Sequence, residues 1–379
     1  MKSLLVFLTF KNTIKTWSSS GLLDRELSYY DKFIEDSNYD VTFFSYGGKE
    51  DQDIFSKINT KKKLKKLSKN LKLNNSILLF LYSFYFVIKN KNFFKGFDFY
   101  KSNQNYGSWI AVFCKFLFKK KFISRCGYDL FHFALLEKKF FKIIISYFIC
   151  LTAYKYADVV FVPTKFYKIF VTKYFFINKK KIKIIPNFVD TSIFQEINGV
   201  QKLDKRVLFI GRLEKQKNIF SILKALKNTD ISLDILGTGS LKNKIHKFSD
   251  EFNLKVNFIN TIDNKKLPEL MNKYNFLVLF SYFEGNPKIL IEAMACGVCP
   301  IVSNVTGINN IIDNNENGLM FDLDNFNQIK YTFSKLDHMK VKNIQKNAKE
   351  YVIKNHDINI ICNSEIKHIQ SIYQNYLIK

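Results

Sequence analysis

The sequence predicts an α/β protein of two domains, each built on a doubly wound parallel sheet. Three observations lead there. Through the second half, short β-branched runs alternate with helical stretches, the order that parallel strands and their crossover helices impose. The first half opens on the same strand-then-helix theme, less cleanly. The length, 379 residues, exceeds what one core ordinarily holds. With 47% hydrophobic and 24% charged residues, the chain can bury those cores, and disorder is excluded.

In order, Leu4–Thr9 reads as the first strand and Thr16-Trp17-Ser18-Ser19-Ser20-Gly21 as a polar loop. A helix from Leu22 to about Glu35 and a strand at Asp40–Ser45 follow, with later strands at Phe97–Tyr100, Lys121–Arg125 and Asp158–Val162. Residues 1–190 form the first predicted domain. The stretch Asn187 to Lys205 is polar and irregular, and 191–205 reads as the linker. The second domain, 206–355, has strands at Arg206–Ile210, Ser232–Leu236, Val256–Ile259, Phe276–Phe280 and Cys299–Ser303. Helices at Asn218–Leu226, Leu241–Phe248, Lys266–Lys273 and Pro287–Ala295 separate them. A last helix, about Ile358 to Leu377, lies beyond that sheet; segment 356–379 is a candidate to pack back on the first domain.

The formal net charge is +26, which favours an anionic partner. Lys, Asn, Ile and Phe abound while Gly, Pro and Trp are few, so part of the charge reflects an AT-rich coding bias. A basic surface follows; a nucleic-acid partner does not. The six cysteines, at 114, 126, 150, 296, 299 and 362, have no framework spacing. The opening MKSLLVFLTFKN reads as a strand rather than a signal peptide. The apolar runs Ile77 to Ile88 and Ile143 to Ala153 fall short of the roughly 20 residues that span a bilayer. A reducing, cytoplasmic setting is expected, peripheral at the inner membrane face if the basic surface meets lipid.

In doubly wound sheets, ligands bind beyond the carboxyl ends of the strands. Two segments there carry chemistry. The first, Phe283-Glu284-Gly285-Asn286-Pro287-Lys288-Ile289-Leu290-Ile291-Glu292, follows an apolar strand and opens a helix. It places Glu284 in the turn and Glu292 about a turn and a half into an otherwise apolar helix, where its carboxylate should be partly solvated. Helix-start N–H groups from Gly285 to Ile289 suit an anionic or hydroxyl-rich ligand, and Pro287 presets a helical φ early in the first turn. The blander reading has Glu284 capping the helix dipole and Glu292 reaching out to solvent. The second, Leu208-Phe209-Ile210-Gly211-Arg212-Leu213-Glu214-Lys215-Gln216-Lys217-Asn218, sets Arg212 directly after a strand and Lys217 at the mouth of the next helix. Two such cations can clamp a diphosphate, Arg as a fork and Lys as a point charge. For Lys215, a plain surface residue is the better reading.

Together the segments resemble the donor-binding signature of the GT-B retaining glycosyltransferases of family 4. The likeness includes the paired Glu284 and Glu292, the Gly-Arg-Leu turn with Lys217-Asn218, and Leu236-Gly237-Thr238-Gly239. It extends to Ile185-Pro186-Asn187, Val189-Asp190 and Asn317-Gly318-Leu319. It runs from about Ala157 to Phe321; residues 1–150 agree only in general layout. The resemblance implies two facing Rossmann-like domains with an interdomain cleft. It further implies metal-independent transfer of a hexose from a nucleotide diphosphate sugar, the donor substrate, to a hydroxyl with retained configuration. Arg212 and Lys217 would hold the diphosphate and stabilise the departing nucleotide. Glu292 would hold the ribose and Glu284 the sugar hydroxyls. Backbone amides of Gly285, Asn286, Pro287 and Lys288 would frame sugar and phosphate; since Pro287 has no N–H, only its neighbours can donate. Gly237 belongs to the same site, and Gly21 would allow close approach to the phosphates. Many members carry a histidine in the first domain where this chain reads Ile123-Ser124-Arg125-Cys126-Gly127-Tyr128-Asp129, with His132 beyond. Arg125, Tyr128 and Asp129 are the acceptor-side candidates. A glycan or lipid-linked acceptor, in surface polysaccharide or lipopolysaccharide synthesis, is the expected partner.

Other signals carry less. Asp322-Leu323-Asp324 imitates a metal-binding pair but falls in a late loop, and the five histidines lack ligand spacing, so no metal is expected. Cys296-Gly297-Val298-Cys299 joins a helix to a strand, where buried thiols are favoured. The run Lys61–Lys69 is a basic patch; beside Ile77–Ile88 it reads either as an anionic-membrane surface or as a solvated helix leading into a core element. Two rivals remain. A nucleotide-sugar epimerase of the same architecture would need no acceptor. A basic nucleic-acid-binding protein would need a module this sequence lacks.

Overall fold

The computed structural model describes residues 2–58, 62–67, 75–336 and 341–377. The chain divides into two compact units, one from residues 1–186 and 362–379, the other from 187–361.

The first unit carries, among the described residues, a seven-stranded sheet of β1 (Lys2–Phe7), β2 (Tyr39–Ser45), β3 (Lys63–Lys66), β4 (Phe99–Ser102), β5 (Lys121–Arg125), β6 (Val159–Val162) and β7 (Ile182–Ile184). Its order is β3-β2-β1-β4-β5-β6-β7 and every pairing is parallel. The helices are α1 (Ile14–Ser19), α2 (Leu23–Asp36), α3 (Lys49–Ser56), α4 (Ser76–Lys89), α5 (Lys91–Lys95), α6 (Ser108–Phe118), α7 (Leu130–Leu136), α8 (Phe140–Tyr156) and α9 (Lys165–Phe175). Two neighbours on β2 show the layering, because successive strand side chains point to opposite faces. Phe43 meets Trp17 of α1 and Tyr30 of α2, whereas Phe44 meets Phe86 of α4 and Phe94 of α5.

Two sequence expectations change here. The polar loop before Gly21 is the helix α1, closed by a capping box between Thr13 and Thr16. The buried carboxylate of Asp51 accepts from the N–H groups of Ile14 and Lys15, each at 3.0 Å, and fixes that helix start. The lysine run is no solvated helix: Lys63–Lys66 pairs with β2 as the sheet's edge strand, where lysines discourage further pairing. Lys62 is buried against Asp31, and Lys65 lies 4.5 Å from the centroid of the Phe93 ring. Lys61 and Lys69 lie outside the described residues.

The second unit has a six-stranded sheet among the described residues: β8 (Arg206–Ile210), β9 (Ser232–Leu236), β10 (Val256–Ile259), β11 (Phe276–Leu279), β12 (Cys299–Ser303) and β13 (Leu319–Phe321). The order β10-β9-β8-β11-β12-β13 reverses direction at β8, and all pairs are parallel. Its helices are α10 (Ile219–Ala225), α11 (Lys242–Glu251), α12 (Leu267–Met271), α13 (Lys288–Ala295), α14 (Phe326–Lys335), α15 (Lys342–His356) and the start of α16 (Ile358–Leu377). Phe276 and Val278 of β11 face one core with α10 and α14; Leu277 and Leu279 face another with α13 and α15. Strands buried on both faces explain the continuous apolar runs that made this half legible. Residues 187–205, read as irregular linker, belong to this unit. Val189 donates its N–H to the His356 carbonyl at 2.9 Å, its own carbonyl accepts from Ile358 at 2.9 Å, and the Thr191 hydroxyl donates to Asp357.

From Cys362 onward α16 belongs to the first unit. There Glu365, fully buried, accepts from Lys101 of β4, from Tyr29 at 2.8 Å and from Arg125 at 2.9 Å. Burial pushes its carboxyl upward, but Lys101 and Arg125 outweigh that and hold it below the usual carboxylate range.

Candidate active site

At the carboxyl edge of the second sheet, register brings two glycine turns side by side. Ile210 pairs with Leu236, so Gly211 and Gly237 are the next residues out on neighbouring strands. The turns touch backbone to backbone: Gly211 donates to Leu236 O at 3.0 Å, Leu213 to Thr238 O at 2.8 Å and Leu241 to Leu213 O at 3.0 Å. A Cβ on Gly237 would stand 1.9 Å from the Gly211 carbonyl oxygen, so no larger residue fits.

Beyond Gly211, Arg212 is exposed, and among the described residues it is held in no ion pair. The chain then tightens into a 3₁₀ turn at Lys215–Lys217, and Asn218 adopts a left-handed conformation (φ 47°) before α10. This turn grips the loop after β11. Tyr282 donates to Gln216 O at 2.9 Å, and Gln216 Nε2 donates to Phe283 O at 2.8 Å. The grip aims Lys217 Nζ at Glu284 Oε1, 2.6 Å away, and the same oxygen accepts from Ser281 Oγ at 2.5 Å. Both charged side chains are nearly enclosed, 12% and 9% exposed. The pair is charge-assisted and shielded from screening, so the carboxylate orientation is fixed before any ligand arrives.

A third loop completes the setting. Glu284 N–H donates to Thr306 O at 3.1 Å, and a Cβ on Gly307 (φ 90°) would lie 2.4 Å from Glu284 O. Sequence reading missed Ser281 and Gly307, although the rule that pointed to strand-end glycines applies equally to the turn after β12.

Asn286 is 6% exposed, and its side-chain carbonyl accepts from Asn187 N–H at 3.0 Å while Asn187 Nδ2 donates to Asn286 O at 2.6 Å. Pro287 is the N-cap residue, extended at ψ 114°, so α13 begins at Lys288 and not at the proline. Lys288 lies over the Phe188 ring, 5.1 Å to its centroid. Glu292, expected to be partly solvated, is 3% exposed, because its helix is sandwiched in the core with α15. Beside it the Cys296 thiol is pushed up to about 12, by burial and then by the Glu292 charge. Cys299 is likewise buried, its thiol pushed up to about 12.

The first-unit candidates have diverse surroundings. Gly21 is exposed, with φ 68°, just past α1. Arg125 is engaged by Glu365, as above. Asp129 is fully buried as the N-cap of α7, accepting from His132 N–H at 2.8 Å and from the Tyr154 hydroxyl; burial raises its pKa. Both carboxylate and guanidinium therefore serve the fold. Tyr128 is exposed, its ring edge-on to Phe133. His132, against Tyr167 at 3.2 Å, is pushed down to about 4 by burial. Asp322 and Asp324 are exposed, Asp322 accepting from Asn304 at 2.8 Å; the described residues hold no His, Cys, Asp and Glu group able to bind a metal ion.

Residues 190–354 match the family described as glycosyl transferases group 1. Among curated proteins, the chain is 30% identical to an N-acetylgalactosamine-N,N'-diacetylbacillosaminyl-diphospho-undecaprenol 4-alpha-N-acetylgalactosaminyltransferase of Campylobacter jejuni, over 51% of this chain and 54% of that one. It is 26% identical to a UDP-Gal:alpha-D-GlcNAc-diphosphoundecaprenol alpha-1,3-galactosyltransferase of Escherichia coli, over 49% and 53%. The chain thus spans about half the length of these curated relatives. Among solved structures, sucrose-phosphate synthase from Thermosynechococcus elongatus superposes with a TM-score of 0.81 at 16% identity, over 99% of this chain and 100% of that one. Anabaena HepE in complex with UDP gives 0.74 at 15% identity, over 98% and 100%. These likenesses concern the fold. The two parallel α/β sheets are the GT-B architecture, and residues 190–354, within the second unit, are similar to the glycosyl transferases group 1 family.

Proposed function

We propose that the protein transfers a hexose from a nucleotide diphosphate sugar to a hydroxyl of a lipid-linked glycan, in cell-surface polysaccharide or lipopolysaccharide synthesis. The observation that carries this reading is Lys217 Nζ on Glu284 Oε1 at 2.6 Å, beside the Gly211 turn at the carboxyl edge of the second sheet. A fixed carboxylate beside a cation, next to the start of α13, suits a ligand with hydroxyls at one end and phosphates at the other. Arg212 and Lys217 offset the charge that gathers on the departing nucleoside diphosphate, the task a divalent metal performs elsewhere, so the reaction is metal-independent. Glu284 holds sugar hydroxyls through an oxocarbenium-like transition state, and Glu292 holds the ribose. Amides of Gly285, Asn286 and Lys288, with Gly237, frame the phosphates; Gly21 and the exposed Tyr128 are the first unit's own candidates. The UDP-Gal donor and diphosphoundecaprenol acceptor in the name of the Escherichia coli relative, and the α linkages in both relatives' names, favour a lipid-diphosphate acceptor and retention of configuration.

The test is nucleotide release from UDP-, GDP- and ADP-sugars, with and without a lipid-diphosphate glycan, in EDTA. Acceptor-dependent release that survives EDTA is expected. Donor conversion without acceptor would favour an epimerase, and EDTA inhibition reversed by Mg²⁺ or Mn²⁺ would overturn the metal-independent scheme.

A further inference from the structure

On the surface of the first unit, the helix layer over one face of the sheet is apolar on its outside as well as its inside. Helix α4 has no charged residue between Ser76 and Ile88, and α8 carries only Lys142 and Lys155. The inner faces are used: Phe80 and Phe84 of α4 meet Trp109 and Phe113 of α6, each at 5.2 Å, and Phe116 of α6 meets Tyr156 at 5.0 Å. The three helices therefore form one layer. Their outer faces have no such cover. Ile77, Leu81 and Ile88 are spaced to share one side of α4, and Phe141, Ile145 and Phe148 one side of α8. All six are more than half exposed, Phe141 to 80% and Ile77 to 68%. A surface helix of a soluble domain ordinarily turns polar residues outward, and contiguous apolar patches mark an interaction surface.

The charges around the patch say what covers it. Between residues 75 and 156 there are thirteen Lys and Arg against three Asp and Glu; Lys101 and Arg125 are taken up by Glu365 and Lys115 and Lys121 by Asp158, which leaves nine cations. Of the acids, Asp129 is buried and Glu137 is already matched by Lys139 and Lys142. Lys138 and Lys139 stand immediately before α8, and Lys89 and Lys91 follow the α4 stripe. A second copy placed on this face would set like charges against each other, whereas an anionic lipid surface supplies both the apolar medium and the counter-charge. Spanning is excluded for these helices by length: 17 residues in α8 and 14 in α4 reach only about 26 and 21 Å at 1.5 Å per residue, and no described helix is long and apolar enough to cross.

We propose that the outer faces of α4 and α8 lie in the headgroup boundary of an anionic membrane, with Phe141, Ile145 and Phe148 inserted and the flanking lysines on lipid phosphates. This moves the contact away from the Lys62–Lys66 run, whose first lysine is buried, and it stands whichever donor and acceptor the enzyme uses.

The experiment is flotation of the full chain with phosphatidylglycerol-rich vesicles against phosphatidylcholine vesicles, at low and high salt. Wild type should float with the anionic vesicles and detach as salt screens the lysines. The variant Phe141→Ser/Ile145→Ser/Phe148→Ser should lose about tenfold or more in vesicle affinity, while nucleotide release in detergent stays unchanged. Phe141→Trp keeps the apolar character, so it must fold and float, and its added emission should shift to the blue on anionic vesicles. Failure of wild type to float, undiminished flotation of the triple variant, or an unshifted emission from floated Phe141→Trp protein would each overturn the proposal. A lipid-free dimer that the triple variant dissociates would also overturn it, giving the face to a second copy.

Discussion

Lys217 and Glu284 hold each other at 2.6 Å across two separate strand-end loops. An ammonium has three donor hydrogens, so Lys217 can keep its grip on the carboxylate while offering another N–H to a phosphate. The pair thus links the two ends of the proposed donor. A diphosphate that draws on Lys217 also frees carboxylate capacity at Glu284 for a sugar hydroxyl.

This linkage separates the roles of the two glutamates. Glu284→Gln should depress turnover by about 10²-fold while nucleoside diphosphate affinity changes little, because hydroxyl contacts that strengthen with developing charge act on the transition state. Glu292→Gln should instead weaken nucleotide binding first. Arg212→Ala should slow release by about 10²-fold through lost leaving-group stabilisation. Titrating UDP and turnover separately for each folded variant decides the matter; identical profiles for the two glutamates would refute the division.

The glycine turns make a second prediction. Gly237→Ala forces a methyl to 1.9 Å from the Gly211 carbonyl oxygen, and should destabilise the second unit by about 2 kcal/mol or more with loss of donor binding. Gly199 is the control: its φ is +79° but nothing lies within 4 Å. Gly199→Ala should show only backbone strain, about 1 kcal/mol, and normal activity. Urea unfolding compares the two.

Glu365 neutralises two cations in the first unit, Lys101 with no exposed surface at all. Removing one partner of a buried pair strands the other, so Glu365→Ala should cost about 3–5 kcal/mol. Adding Lys101→Met should recover part of that loss. A loss below about 1 kcal/mol in denaturant unfolding would show that the ammonium finds water.

His132 supplies a pH dependence. Its folded pKa is about 4 against 6.5 for the free side chain, so the unfolded chain takes up the proton first. The contribution of neutral His132 is complete above about pH 6.5 and is lost as pH falls toward 4, on the order of 2 kcal/mol. Asp129, capping the same helix, has a raised pKa and opposes the trend. Melting temperatures of wild type and His132→Gln should therefore converge between neutral pH and pH 4; parallel curves would remove His132 from the balance.

How much of this could be read beforehand differs between the halves for physical reasons. Strands such as Phe276–Leu279 are buried on both faces and end in glycine or acidic turns, so pattern and position agree and the site residues stand out. The strand Lys63–Lys66 is lysine-rich because it is an edge, and charge masks its pairing. Ile182–Ile184 is too short to register as a strand on its own. The ion pair of Lys101 with Glu365 joins residues 264 positions apart, a separation no local pattern reaches. Glu292 looked half-solvated because its own helix gave no hint of α15 packed beside it.

The position of Glu365 also sets a timetable for synthesis. A ribosome finishes β4 and β5 long before residue 365 is translated, since all of the second unit lies between. Until then Lys101 lacks the carboxylate it is buried against and Arg125 has only the weaker influence of Glu26, so the nascent first unit must leave that face hydrated or unfinished. The second unit, contiguous from 187 to 361, faces no such wait. The half made first is thus completed last, and a transcript truncated before α16 would yield a first unit that never closes.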